Sequence, residues 1–330
     1  MSIIDESYEK FHSIGSKLPI NYAKNDENHL PPWININQIQ RIRSLYKQYS
    51  YSLFMAHIAG LLVLIFNPFI YKTLNATGKS KNLVTLFYRY YYTAKFVRDW
   101  YKNKIWVKGD CSYETIQLVK NMHANVSDKQ NEGKIVNKDI MEISCADMTI
   151  TQWAFIGLLV LYPEKVGFST KREDIELVIH FWAVIGYMLG IEDEYNLCIG
   201  NLDTVRQRCQ IIMENDQRPY VKNFDKDSAK MVEKILISLN QFVIGAKFKP
   251  FIKYIFDMMN IEKSLPITMN RMDMFIYRVL MYILQNLYFN YVIIRFLINQ
   301  YYELVWFVLK SKTVQQYIAN RLRKMDQSMN

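Results

Sequence analysis

The chain has 330 residues and a formal net charge of +10; half of its residues are hydrophobic and 15% are aromatic. That composition excludes a disordered chain, and 11 glycines with 8 prolines are too few for a collagen-like or loop-rich all-β protein. The four cysteines, Cys111, Cys145, Cys198 and Cys209, form no C-x-x-C pair, which argues against a zinc ribbon or a dense disulfide scaffold.

Residues 1–33 are polar, contain Pro19, Pro31 and Pro32, and lack the basic-then-apolar order of a secretory signal. They read as a weakly ordered extension ahead of one domain over 34–330. No Asp or Glu occurs between Asn28 and Arg98, whereas nine cations do, which accounts for nearly the whole net charge. Such a stretch suits nucleic acid or an anionic membrane. Its cations flank an apolar run and no nucleic-acid motif interrupts them, so a membrane is the expected partner and nucleic acid is not. The apolar run, residues 53–70, reaches the lower length limit of a membrane span. His57, Asn67 and Pro68 count against a simple span, and a buried helix of a helical domain is the alternative.

A helix is predicted over 82–103. The next, over 112–126, carries Ile116, Val119, Met122, His123 and Val126 on one stripe. A polar loop follows at 127–143. Ser144-x-x-Asp147 predicts a capping box for a helix running to Tyr162, and Thr170-x-x-Glu173 a second for a helix ending at Gly190. Further helices are predicted over 202–215, 227–246 and 249–260. One or two long helices should fill 272–322, with Arg278, Gln285, Asn286, Asn290 and Arg295 interrupting any span over 275–309. No segment has a strand period, so the expected class is all-α, a single helical domain with long C-terminal helices.

Few chemical motifs survive inspection. Gly78-Lys79-Ser80 lacks the first glycine of a phosphate-binding loop. Glu9-x-x-His12 is the only Glu-x-x-His pair, too little for a di-iron bundle. His12 and His29 fall in the polar extension. His57, His123 and His180 fall on apolar helices, where a lone histidine is usually a satisfied core residue, although three of them raise the case for a metal or haem. Arg89 and Thr93, four apart in R-Y-Y-Y-T, share one helical face in an aromatic-rich helix. An arginine there either snorkels or meets a buried anion.

These pieces resemble a known family. FNPFIYKTLNATGKS (66–80), YRYYYTAKF (88–96), LVKNMHANV (118–126), DMTITQWAFIGLLVLYPEKVG (147–167) and IHFWAVIGYMLGIEDEYN (179–196) are similar, in order and spacing, to the haem b oxygenases grouped with latex-clearing, rubber-cleaving proteins. The same group includes the endoplasmic-reticulum-bound fungal oxygenase of mycophenolic acid synthesis, and the last two pieces look most like its insect members. The resemblance implies one haem b with its iron, dioxygen as co-substrate and an apolar substrate, isoprenoid or lipid-like. It implies that Arg89 and Thr93 line the distal pocket and polarise dioxygen, and that His123, 34 residues after Arg89, ligates the iron. Tyr92 stands where rubber-cleaving members carry a lysine that can cap the iron, and is thereby a further cofactor contact. His180, followed at Ala183 by a residue that is usually arginine, is a second candidate beside the haem. The glutamate base of rubber-cleaving members has no counterpart in 28–98. Membrane association, at the endoplasmic reticulum, is the implied location, with the cytoplasm as alternative. The competing readings are a haem-binding protein without oxygenase turnover and a haem-free helical membrane protein.

Overall fold

The computed structural model describes residues 3–20, 30–240, 246–261 and 267–329; His29 of the sequence reading lies outside them. The expected all-α class is what is found. The helices are α1 (Ile3–Ser13), α2 (Ile36–Ile65), α3 (Pro68–Ala76), α4 (Leu83–Lys102), α5 (Cys111–Gln130), α6 (Cys145–Leu161), α7 (Arg172–Met188), α8 (Leu202–Ile212), α9 (Arg218–Lys222), α10 (Lys226–Leu239), α11 (Phe248–Met258), α12 (Arg271–Met281), α13 (Val292–Leu309) and α14 (Lys312–Met329). Two π-helical segments, Met213–Gln217 and Tyr282–Tyr288, join α8 to α9 and follow α12. Among the described residues there is no strand, only an isolated bridge between Pro19 and Ser144.

The residues cluster into two compact units. The first comprises 1–46, 96–161 and 170–216; the second comprises 47–95, 162–169 and 217–330. In the first unit α6 and α7 form the centre, each buried over most of its length. The predicted capping box opens α6: Ser144 N–H donates to Asp147 Oδ2 at 3.0 Å and Asp147 N–H to Ser144 Oγ at 3.1 Å. The second predicted box is not made, since α7 starts after Lys171 without a side-chain cap. α7 stops as expected at Gly190, whose φ of 96° belongs to glycine, and Ile191 N–H closes back onto Gly186 O at 2.9 Å. A buried amide network joins α6 and α7 to the loop after them. Gln152 donates to Trp182 O and Asn196 Oδ1, both at 2.9 Å, while Asn196 donates to Ala183 O at 2.8 Å. A Cβ on Gly186 would stand 2.5 Å from Gln152 Nε2, so glycine is required where the network crosses α7.

The N-terminal segment, expected to be weakly ordered, forms α1 in its described part. Tyr8 donates to the buried carboxylate of Asp216 at 3.0 Å. Lys10 and His12 add ion pairs to Glu194 and Asp216, and a helix of 11 residues fastened mainly by polar contacts escapes a periodicity scan.

In the second unit the apolar run is a core helix. Leu53, Met55, Ala59 and Val63 have no exposed surface. The run does not continue to residue 70, because Asn67 caps α3 by accepting Phe69 N–H and Pro68 fits the first helical turn. The C-terminal third is not one or two long helices but α12, a π segment, α13 and α14, with breaks near Tyr291 and Ser311. α5 likewise runs four residues past its predicted end, to Gln130.

Candidate functional site

Each sequence-predicted residue has a definite place. Arg89, Tyr92 and Thr93 lie on α4 in the second unit, and His123 on α5 and His180 on α7 lie in the first.

Arg89 is half-buried. Its Nη1 donates to Leu74 O at 3.3 Å, Thr77 Oγ1 at 3.4 Å and Ser80 Oγ at 3.0 Å. These acceptors are the end of α3 and the turn that Gly78 makes at φ 70°. All three are neutral, and no carboxylate pairs with Arg89 among the described residues. The guanidinium is therefore oriented but its charge is not neutralised, the state suited to receiving an anion. Ser80, set aside with the failed phosphate-loop motif, provides the shortest contact; the signal was present as a short polar turn ahead of an arginine-bearing helix.

Thr93 donates its hydroxyl proton to Arg89 O at 2.9 Å, one turn back on α4. Its remaining capacity is as an acceptor. Tyr92 is 46% exposed and packs edge-on against Tyr91 at 5.2 Å. Between them Tyr91 and Tyr90 are buried, and desolvation pushes the Tyr90 phenol up to about 12 despite the Arg89 charge beside it.

His123 is half-buried, with its Nδ1 shielded from solvent. On the same helix Leu118 and Met122 are exposed at 49% and 38%. The stripe predicted from periodicity is thus buried at Ile116 and open around His123. Lys120, one turn before His123, is buried at 6% exposure, a feature the sequence reading passed over because lysine scores as surface. His180 accepts Asn35 N–H at Nε2, 3.0 Å, at the start of α2, and stands edge-on to Trp33. Burial lowers its pKa. Its Nε2 lone pair is in use, so it ties α7 to the beginning of α2. His57, on α2, is buried, and desolvation lowers its pKa to about 3.

A haem needs one or two axial ligands from the protein, not a cage. Among the described residues no three or more His, Cys, Asp or Glu form a metal site. His123 offers a half-exposed imidazole, the donor type that ligates haem iron, and Arg89 separately offers a cation with no carboxylate partner among the described residues.

The fold defines an all-helical protein, not a particular activity. No protein-family description and no curated protein matches the chain. Among solved structures it is similar to a latex clearing protein in the closed state, with a TM-score of 0.55 and 17% identity over 79% of this chain and 71% of that one. At that identity the likeness is one of fold.

Proposed function

We propose that the chain is a haem b-dependent oxidoreductase of the oxygenase type, acting with dioxygen on an apolar, isoprenoid- or lipid-like substrate. The observation that carries this is Arg89 on α4, one turn before Thr93, held by three neutral acceptors and with no carboxylate partner among the described residues. The shared fold with a latex clearing protein supports it. When bound, haem b supplies the binding and activation of dioxygen.

The residues supply the rest. His123 would hold the haem iron through Nε2, leaving its shielded Nδ1 for a hydrogen bond that orients the ring. Arg89 would offer its remaining N–H donors to negative charge on a bound group. Thr93 keeps Arg89's turn of α4 in register and accepts rather than donates. Tyr92, being exposed, is open to contact with a bound group, and His180 positions α7 as a hydrogen-bond acceptor. The purified protein should show a Soret band and take up oxygen when given an apolar polyisoprenoid. His123→Ala should lose most of the haem, whereas His180→Ala should keep it; the reverse pattern would move the ligand to His180. Arg89→Ala should retain haem and slow oxygen uptake about 100-fold, the effect of deleting one charged donor.

A second reading, haem binding without turnover, is favoured by two observations: no carboxylate occurs in 28–98, and the Thr93 proton is already committed to Arg89 O. A Soret band without substrate-dependent oxygen uptake selects it. Absence of any Soret band after haem addition selects the haem-free helical protein instead.

A further inference from the structure

The second unit carries a broad apolar surface that none of the described residues covers. α13 has a narrow protein-facing side, made of Asn299, Tyr302, Trp306 and Leu309. The other side presents Ile293, Phe296, Leu304 and Phe307 at 57–74% exposure with Val292 and Leu297 beside them. α12 adds a stripe through Phe275 and Val279. The largest apolar patch on a soluble monomer is about 300–600 Å². Side chains of these sizes and exposures together show on the order of 1,000 Å².

The well-exposed charges of the segment that carries this face have one sign. Between 270 and 329 every ionic residue of the exposed class is a cation: Arg271, Arg278, Lys310, Lys312, and the α14 trio Arg321, Arg323 and Lys324. The three carboxylates of the segment are buried or only partly exposed. Asp273 is buried in the capping box that opens α12, Asp326 accepts Leu83 N–H, and Glu303 is only partly exposed.

We propose that the exposed face of α13, with the α12 stripe, is a docking surface for an anionic lipid bilayer, entered side-on rather than spanned. Charge complementarity selects the occupant. A second copy of the chain would bring one cationic rim against another, whereas anionic headgroups neutralise it. Tyrosines at the edges, Tyr282, Tyr291, Tyr301 and Tyr317, are exposed and suit the headgroup level. Attachment on one side excludes a span. Asn299 accepts Tyr51 N–H at 3.1 Å and Tyr288 O–H at 2.8 Å and donates to Gln48 O at 2.8 Å, which holds α13 against the protein. A helix tied to protein along one side and apolar on the other lies in the interface.

The test is flotation of the full chain with phosphatidylcholine vesicles, alone or with about one third phosphatidylserine. Wild-type protein should float with the anionic vesicles and much less with the neutral ones, and Lys310→Glu with Lys312→Glu should remove that preference. The triple variant Ile293→Ser, Phe296→Ser, Phe307→Ser should partition at least about tenfold less, given the apolar area removed. Its thermal midpoint should be unchanged, because all three side chains are exposed. Haem content is recorded in parallel and is not expected to move, so a failed oxygenase reading leaves this result intact. The proposal is overturned if wild-type protein stays in solution with both vesicles, binds both equally, or is matched by the triple variant. It is equally overturned by a dimer that the triple variant dissociates and that ignores vesicles, which would give the face to a second copy.

Discussion

α2 and α13 reach the same mean hydropathy, 1.4, over their most apolar 18 residues, yet 83% of that window is buried in α2 and 22% in α13. α2 includes small residues, Ala56, Ala59 and Gly60, that let neighbours approach, and its polar groups Ser50, Ser52 and His57 are buried with it. α13 is apolar nearly all round but contacts protein along one stripe. Hydropathy counts the atoms a segment carries, whereas burial depends on what the rest of the unit brings against them. The difference places the broad exposed apolar face on α13 rather than on the segment 53–70, which composition alone marks as the better candidate for a span.

The sharpest way to break the comparison is to place the same charge in both helices. Leu62, 1% exposed on α2, becomes an uncompensated buried carboxylate in Leu62→Asp, which should cost about 4 kcal/mol or abolish folding. Ile293→Asp on α13 should change stability by no more than about 0.5 kcal/mol. Chemical denaturation of the two variants measures both, and equal losses would mean that α13 is covered.

A second test uses pH. Desolvation lowers the His57 pKa to about 3, whereas an unfolded imidazole titrates near its ordinary 6.5. Between these values the unfolded chain binds more protons than the folded one, so stability falls as pH falls below 6.5. The effect is about 1.4 kcal/mol per unit once below that value, or up to about 4 kcal/mol by the lower end. His57→Leu should flatten the dependence between pH 4 and 6.5 in denaturation series. α13 contains no histidine and contributes nothing there. An unchanged slope in the variant would place the sensitivity elsewhere.

The smallest expected effect concerns the attachment itself. Asn299→Ala removes the acceptor of two donors and one buried side-chain donor, which should cost about 2 kcal/mol. Limited proteolysis within α13 should accelerate in this variant while cleavage within α2 does not. Equal rates would show that the apolar stripe of Tyr302, Trp306 and Leu309 holds the helix unaided.

Much of the helical layout was readable because its causes are local. The Ser144–Asp147 box, the glycine stop at 190 and the Asn67-Pro68 break are each written within a few residues. The candidate site was legible as a pattern: Arg89 four before Thr93, and His123 on a periodic stripe. Its state was not. That Arg89 is held by Leu74 O, Thr77 and Ser80 depends on a turn folding back onto α4. That His180 spends its Nε2 on Asn35 depends on a partner 145 positions earlier in the chain.

The amino-acid sequence alone determined that this protein is all-helical and where helices such as α4, α6, α7 and α11 lie, since propensity, capping and periodicity act over a turn or two. Only the tertiary structure decided which of two equally apolar helices is core and which is surface, why Arg89 keeps an unneutralised charge, and that the exposed charges of the C-terminal helices share one sign. Those outcomes are set by long-range packing, in which each side chain's surroundings come from segments far away in the chain.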